Sequence, residues 1–308
     1  MRYMGAETMT RLFLPEAARE SRTKHIVGFS GGIDSQATLR WVRNRFGDEN
    51  AIALNSQAGR WEHDLTASFV RSYSKSVFPI TEVVPLVKDI WITDGWAEKE
   101  HGLAGDQELT MELLVEIKKR SPSRTAKFCT EILKLRPQRR WTTENFQVGG
   151  QYEEWDYVRY TGVRRQESKS RENTPFVFHD KFFDCDVHCP LADWTKQMCF
   201  DYVRYHDEPV NPLYSLGFER VGCMPCIEAG KEEIARIADR FPESIDKVRA
   251  LEEKTGKTFF APKVPGLHTN TIDQCVAWSR TMRGNVDPGP FAIIVQREAC
   301  ESKYGLCE

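Results

Sequence analysis

The chain has 308 residues, of which 40% are hydrophobic and 29% are charged, and its formal net charge at pH 7 is −2. This near-neutral balance excludes a broad electrostatic surface for nucleic acid, so such binding would need a local basic patch. No apolar run approaches the roughly 20 residues that span a bilayer, and the N-terminus lacks the apolar core of a signal peptide. We therefore expect a cytoplasmic protein with no membrane partner.

A glycine-rich turn follows the first predicted strand. Residues 25–35 contain a short apolar run, a Ser-Gly-Gly turn and the start of a helical pattern. Glycines allow a sharp turn close to a ligand, and the N–H groups at a helix start favour phosphate. Asp34 would repel a bare phosphate, so we expect Mg²⁺ between its carboxylate and the phosphates. The predicted phosphate-binding residues are Ser30, Gly31, Gly32, Ile33, Asp34 and Ser35; the alternative is a glycine turn without a ligand.

Strand-like and helix-like segments alternate through the rest of the first two thirds of the chain. This alternation predicts a mainly parallel sheet with helices on both faces, whose ligands bind beyond the carboxyl ends of the strands. An aromatic-rich pair of short strands is predicted at 176–183. The other predicted strands lie near 51–55, 81–85 and 157–161, and the predicted helices lie near 15–22, 64–73, 107–120, 193–205, 228–240, 243–255 and 272–281.

A basic segment, residues 162–171, follows one of these strands. Its arginines, Arg164, Arg165 and Arg171, can make forked contacts to phosphate or sulfate oxygens, and Glu167 can orient one of them. The alternative is a solvated basic helix start. The basic stretches 134–140 and 159–171 would suit a phosphate-rich polymer, although a solvated charged face explains them equally well.

The nine cysteines are expected to be ligands, nucleophiles or core residues rather than disulfides, because the cytosol keeps thiols reduced. Cys223 and Cys226 are spaced so that two thiolates can bind one metal centre. That centre would be an iron–sulfur cluster or zinc. The alternatives to a metal centre are a redox dithiol and a pair of buried structural cysteines. Cys199 lies in a helical pattern and is predicted to pack in the core.

The turn at residues 30–35 resembles the pyrophosphate loop (PP-loop) of the ATP-pyrophosphatase superfamily. Further motifs follow in the order found in the phosphoadenosine phosphosulfate (PAPS) reductase family, which the chain resembles from about residue 25 to 230. These motifs are Gly162-Val163-Arg164, Pro190-Leu191-Ala192-Asp193-Trp194-Thr195, Asn211-Pro212-Leu213-Tyr214 and Gly222-Cys223. The resemblance implies an α/β, adenine-nucleotide α-hydrolase-like fold. Residues 1–23 would form a lead-in, 24–222 the nucleotide-binding domain, and 223–308 a mostly helical, cysteine-bearing region on the same site.

This resemblance implies an enzyme that uses ATP, because the loop keeps the Gly-Gly-x-Asp-Ser pattern suited to ATP and Mg²⁺. Such an enzyme adenylates a substrate, releases pyrophosphate and transfers sulfur. Asp34 and Arg164 would be catalytic, and Gly162, Arg164 and Arg171 would contact the nucleotide. One alternative is a thiol-dependent reductase of adenylyl sulfate or its 3′-phosphate, with Cys307 as nucleophile. Another is a non-catalytic metal- or nucleotide-binding partner.

The resemblance also matches Cys129 to a cysteine that faces the Cys223 and Cys226 pair in iron–sulfur members of the family. The neighbouring cysteine of those members is Phe128 here, so Cys300 or Cys307 would supply a fourth ligand. We expect a [4Fe-4S] cluster on Cys129, Cys223, Cys226 and Cys300; the alternatives are a three-cysteine cluster and zinc. The expected partners are an adenine nucleotide and a sulfur donor or reductant protein. The acceptor (DNA, RNA or a metabolite) and a homodimer are left open.

Overall fold

The computed structural model describes residues 22–90, 101–124, 126–260 and 271–281. The strands are β1 (Thr23–Gly28), β2 (Ala51–Asn55), β3 (Ile80–Glu82), β4 (Asp156–Tyr160), β5 (Val177–Asp180) and β6 (Cys185–His188). The helices are α1 (Ile33–Phe46), α2 (Asp64–Ser76), α3 (Met111–Lys118), α4 (Arg136–Phe146), α5 (Lys196–Tyr205), α6 (Pro212–Ser215), α7 (Lys231–Arg240), α8 (Pro242–Thr255) and α9 (Ile272–Ser279). No helix within these ranges combines the length and apolarity needed to cross a bilayer.

The six strands form one sheet in the order β3-β2-β1-β4-β6-β5. All neighbouring pairs are parallel except β5 and β6, which are antiparallel. Strand β1 is central, and its Val27 lies opposite Ala53 on one side and Tyr160 on the other. The predicted mainly parallel sheet is confirmed. Of the pair of short strands predicted at 176–183, β5 lies in that range, whereas β6 lies beyond it.

Both faces of the sheet are covered, because successive side chains along β1 and β2 enter different cores. On one face, Val27 and Ala53 join a cluster that includes Leu39 of α1 and Tyr73 of α2. On the other face, Ile26, Ile52 and Leu54 pack with Trp141 and Phe146 of α4. Buried apolar residues on both sides of a strand are typical of parallel sheets. The predicted arrangement, with helices on both faces of the sheet, is therefore confirmed.

The buried carboxylate of Glu208 binds two side chains of helix α1 and one of helix α2. Its side chain is 2% exposed and accepts hydrogen bonds from Gln36 Nε2 (3.1 Å), Arg40 Nε (2.6 Å) and Tyr73 Oη (2.7 Å). Gln36 and Arg40 lie on α1, whereas Tyr73 lies on α2. A buried carboxylate with several donors holds its partners in one arrangement, because losing any donor would leave charge uncompensated.

Residue contacts divide the chain into two compact units. The first comprises residues 1–55, 69–83 and 138–211, and the second comprises 56–68, 84–137 and 212–308. The first unit contains the sheet, and the second has its own core, which includes Trp61, Leu133, Val248 and Phe259. The units interleave along the chain, whereas the division expected from the sequence places one boundary after residue 222; that division stays a prediction.

The helical segment 128–146 is an element that the sequence analysis did not predict. It begins with one helical turn (Phe128–Thr130), continues as a π-helical segment (Glu131–Leu135) and becomes α4. Its sequence is rich in basic residues, which obscures the apolar pattern of Ile132, Leu133 and Leu135, although all three are buried in the structure. The predicted helix at 107–120 is shorter, because Thr110 caps α3 by accepting the N–H of Leu113. The helix predicted near 15–22 lies, except for Arg22, outside the described residues.

Candidate functional site

The loop at residues 30–35 joins the carboxyl end of β1 to the first residues of α1. Gly31 has a φ of +80°, a conformation that glycine adopts without steric cost. Inside the loop, Ser35 Oγ accepts the N–H of Ser30 (3.2 Å) and donates to the carbonyl of Gly32 (2.9 Å). Because α1 starts here, the positive end of its dipole lies at the loop. The local geometry is therefore suited to an anion such as phosphate.

Two asparagines outside the predicted site support this loop. Asn55, at the end of β2, donates to the carbonyl of Phe29 (2.7 Å), and Asn211 donates to the carbonyl of Gly31 (3.2 Å). Both side chains are about 99% buried, so these hydrogen bonds fix the backbone from two directions. The sequence signal for Asn55 was a polar residue at the carboxyl end of a strand that neighbours β1. Asn211 belongs to one of the motifs behind the family resemblance, but had no predicted role.

Asp34 and Arg164, both predicted site residues, form a buried bidentate ion pair. Arg164 Nε lies 2.7 Å from Asp34 Oδ1, and Nη2 lies 3.0 Å from Oδ2. The two side chains are only 7% and 6% exposed. Burial lowers the pKa of Arg164, but Asp34 opposes this and the net pKa is raised, so the guanidinium remains charged. The pair connects the first turn of α1 with the segment that follows β4.

Gly162 packs directly against the backbone of Asp34. A Cβ atom at this position would lie 2.8 Å from both the carbonyl carbon and the carbonyl oxygen of Asp34. Such a distance is far inside van der Waals contact, so only glycine fits without a backbone shift. The predicted site residue Gly162 thus has an identifiable structural role, which is the close approach of the post-β4 segment to the loop.

Arg171, another predicted site residue, forms an ion pair with Glu167, and its side chain is 5% exposed. This matches the prediction that Glu167 orients one of the arginines. Arg165 donates from Nε to the carbonyl of Thr174 (2.9 Å) and pairs with Asp193. These contacts hold the basic segment against its own unit, and the predicted nucleotide contact of Arg171 stays a prediction.

Cys129, Cys223 and Cys226, together called the cysteine region, lie in the second unit. Residues 61–63 and 222–224 run side by side, with His63 N–H donating to the Gly222 carbonyl (3.2 Å) and Met224 N–H donating to the Trp61 carbonyl (3.2 Å). Glu62 and Cys223 face each other across this short antiparallel bridge. The sequence pair Cys223 and Cys226 is therefore held against a second chain segment.

Lys134 lies in a π-helical segment that begins two residues after Cys129. The N–H of Arg136 bonds to the carbonyl of Glu131, five residues earlier, which is the π-helical pattern. Lys134 Nζ lies 3.6 Å from Glu62 Oε1, and the lysine interacts electrostatically with Cys129, Cys223 and Cys226.

The three thiols and Lys134 influence one another's charge. Burial, together with the neighbouring Cys223 and Cys226, raises the pKa of Cys129 to about 12. Burial also raises the pKa of Cys223 to about 11, although Lys134 opposes this rise. Burial opposes the charge on Lys134, but Cys223 and Glu62 reverse this effect and its pKa is raised. A metal binding these thiols would therefore have to displace their protons.

An ion pair joins the segment of Cys129 to the segment of Cys226. Lys127 Nζ lies 2.9 Å from Glu228 Oε1, and the two side chains are 9% and 6% exposed. Each partner is two residues from a cysteine, because Glu228 follows Cys226 and Lys127 precedes Cys129. Glu228 N–H also donates to Cys226 Sγ (3.5 Å). The ion pair thus helps to keep Cys129 and Cys226 in one region.

Cys129 interacts electrostatically with Cys223 and Cys226, and their predicted role as metal ligands stays a prediction. Within the described ranges, however, no group of three or more Cys, His, Asp or Glu side chains has the spacing of an assembled metal site. Three thiols fit iron–sulfur or zinc chemistry by donor type. Cys300 and Cys307 lie outside the described residues, so their predicted roles as ligand and nucleophile stay predictions. Cys199 is fully buried, as predicted.

Comparison with known proteins gives four informative matches. The model of the phosphoadenosine phosphosulfate reductase domain matches residues 24–229. An uncharacterised 37.8 kDa protein of Escherichia phage 186 is 28% identical over 332 residues, which cover 93% of this chain and 97% of the phage protein. An adenosine 5'-phosphosulfate reductase of Staphylococcus saprophyticus is 41% identical over 69 residues, which cover 22% of this chain and 28% of the reductase. The crystal structure of a phosphoadenylyl-sulfate reductase from Candida auris aligns over 68% of this chain and 84% of its own, with 14% identity and a TM-score of 0.43.

Replacing Gly162 with alanine tests the close approach to Asp34. The added Cβ would meet the Asp34 carbonyl group at 2.8 Å, so Gly162→Ala should lower the free energy of unfolding by about 1 to 3 kcal/mol in urea denaturation. Gly105→Ala is the matched control, since its Cβ would meet only Lys88 Cβ at an ordinary 3.6 Å. Equal stability of the two variants would show that the segment after β4 does not press against α1.

Proposed function

Since the chain belongs to the phosphoadenosine phosphosulfate reductase domain family, we propose that it binds ATP at residues 30–35 and cleaves it between the α and β phosphates. A nucleophilic oxygen of the substrate attacks the α-phosphorus, which forms an adenylate and releases pyrophosphate. A sulfur nucleophile from a separate donor then displaces AMP. The observation that carries this proposal is the loop itself, in which Gly31 has a positive φ and is followed two residues later by the start of a 14-residue helix.

The geometry of the loop supports a phosphate ligand rather than a glycine turn without one. Its carbonyls are held by Asn55 and Asn211, and its serine hydroxyls bond within the loop. Such fixed backbone lowers the entropic cost of ordering N–H groups around a ligand. Arg164 adds a buried positive charge beside the loop, where it would stabilise negative charge that develops during phosphoryl transfer.

The cysteine region supports a sulfur-related role. Cys129, Cys223 and Cys226 would hold an iron–sulfur cluster, with Cys300 as the proposed fourth ligand, and zinc is the alternative metal. When bound, such a cluster would supply redox chemistry or an iron site for sulfide. The positive charge of Lys134 favours the thiolate form of Cys223, which would lower the free-energy cost of binding a metal there.

Reduction of adenylyl sulfate is the second candidate function. The observation that favours it is the 41% identity with an adenosine 5'-phosphosulfate reductase, although this spans only 69 residues. In this reaction the Cys307 thiolate would attack the sulfur of adenylyl sulfate, and AMP would leave as the sulfur–oxygen bond breaks, which gives an S-sulfocysteine. A thiol reductant would then form a disulfide with Cys307 and release sulfite. Sulfite formed from adenylyl sulfate by the wild type, but not by Cys307→Ser, would select this function over ATP cleavage.

Ser35→Ala tests whether the loop performs ATP cleavage. The variant loses the three hydrogen bonds that Ser35 Oγ makes inside the loop, with the N–H and Oγ of Ser30 and with the carbonyl of Gly32. Each is worth about 1 kcal/mol, so AMP formation should slow by about 150-fold. The measurement is the rate of AMP and pyrophosphate release from ATP by the anaerobically purified full chain.

Ser76→Ala is the matched control, because Ser76 Oγ makes one comparable bond to the Ser72 carbonyl (2.9 Å) at the exposed end of α2. It should turn over at the wild-type rate. Release of ADP and orthophosphate, or equal rates for the Ser35 and Ser76 variants, would contradict the proposal.

Metal analysis of cysteine variants tests the proposed cluster. Protein purified without oxygen should carry about four irons per chain and absorb visible light. Cys129→Ser and Cys226→Ser should each lose most of the iron, whereas Cys275→Ser, which changes a cysteine outside the proposed ligand set, should retain it. About one zinc per chain would identify the alternative metal. Wild-type protein free of both metals would contradict a metal centre.

A further inference from the structure

The carboxylate of Asp34 is already engaged on both oxygens within the protein. Arg164 donates to Oδ1 from Nε and to Oδ2 from Nη2, at 2.7 and 3.0 Å, which is the paired geometry that fits a guanidinium to a carboxylate. Both side chains are more than nine-tenths buried. The negative charge of Asp34 is thus balanced before any nucleotide binds.

A second ion pair on α1 shows what is particular about this one. Arg43 binds Asp48 in the same bidentate manner, at 2.8 Å for each bond, but the Asp48 side chain is 61% exposed. Water can solvate Asp48 if its partner moves away, whereas the buried Asp34 has no such compensation. The Asp34 pair is therefore held far more strictly than the Asp48 pair.

The backbone around the pair fixes its position further. The Asp34 carbonyl accepts a hydrogen bond from Thr38 Oγ1 (2.8 Å) and lies against Gly162. On the other side, the Arg164 carbonyl accepts the N–H of Glu167 (3.1 Å). The pair is consequently a joint between two rigid segments, and not a contact between two flexible side chains.

These contacts do not fit the expected role of Asp34 as a ligand of Mg²⁺. Magnesium requires oxygen ligands at about 2.0 to 2.1 Å in near-octahedral geometry and keeps much of its hydration shell. A divalent cation at this carboxylate would lie next to the Arg164 guanidinium, in a buried environment that strengthens their repulsion. The cation would have to displace Arg164 and leave that charge buried without its partner.

We infer that Asp34 is a positioning residue that holds Arg164 beside the phosphate loop, and that it does not coordinate Mg²⁺. The inference rests on the proposed function, because it concerns how this loop receives ATP. Asp34 cancels its own repulsion of phosphate by pairing with Arg164. ATP affinity should therefore depend on Asp34 equally in the presence and absence of Mg²⁺.

Manganese titration of the nucleotide-free wild type tests the metal part of the inference. Mn²⁺ broadens NMR signals of nearby nuclei, so the Nε–H signals of Arg164 and Arg43 can be compared in one sample after assignment with Arg164→Lys and Arg43→Lys. The Arg164 signal should broaden no more than the Arg43 signal, whose partner Asp48 is exposed. Selective loss of the Arg164 signal at low Mn²⁺ would overturn the inference, and this readout requires neither ATP nor a variant of Asp34.

Calorimetric titration with ATP tests the positioning part. Asp34→Asn should weaken ATP binding by about tenfold, both in Mg²⁺ and in EDTA, because it loosens Arg164. Asp48→Asn is the matched control and should bind as the wild type does. A loss confined to the Mg²⁺ buffer would overturn the inference. Failure of the wild type to bind ATP in either buffer would instead refute the proposed function, and the manganese result would still decide the role of Asp34.

Discussion

A buried ion pair between Asp34 and Arg164 connects the phosphate loop to the segment that follows β4. The loop depends on this joint because Asp34 lies in the first turn of α1, where an unpaired carboxylate would oppose an anionic ligand. With Arg164 in place, the carboxylate instead holds a positive charge close to the loop. Strands β1 and β4 are parallel and end at the same edge of the sheet, so the segments that follow them can meet and form this ion pair.

The loop itself could be predicted from the sequence because its determinants are local. An apolar strand, two glycines and a helical pattern lie within about a dozen residues, and the observed turn follows from them. The partner of Asp34 could not be predicted, because Arg164 is 130 residues away and two other arginines lie in the same basic segment. The expected role for Asp34 assumed a free carboxylate, which only the three-dimensional pairing could test.

The cysteine region shows the same division between local and distant information. Spacing alone indicated the Cys223 and Cys226 pair, whereas Cys129 came from the family resemblance. Cys223 and Cys226 both influence the pKa of Cys129. The π-helical segment that contains Lys134 was not predicted, because many basic residues surround its few apolar ones. Asn55 and Asn211 escaped prediction for a related reason. A strand end and a family motif mark their positions, but neither indicates that an asparagine there supports a loop rather than being exposed to water.

Hydrogen–deuterium exchange with and without ATP tests the central claim most directly, because it reports on the backbone N–H groups that are proposed to bind phosphate. The account predicts that ATP slows exchange in peptides that cover residues 29–36, while peptides from the antiparallel strands β5 and β6 exchange as before. Unchanged exchange at residues 29–36 under saturating ATP would contradict the account.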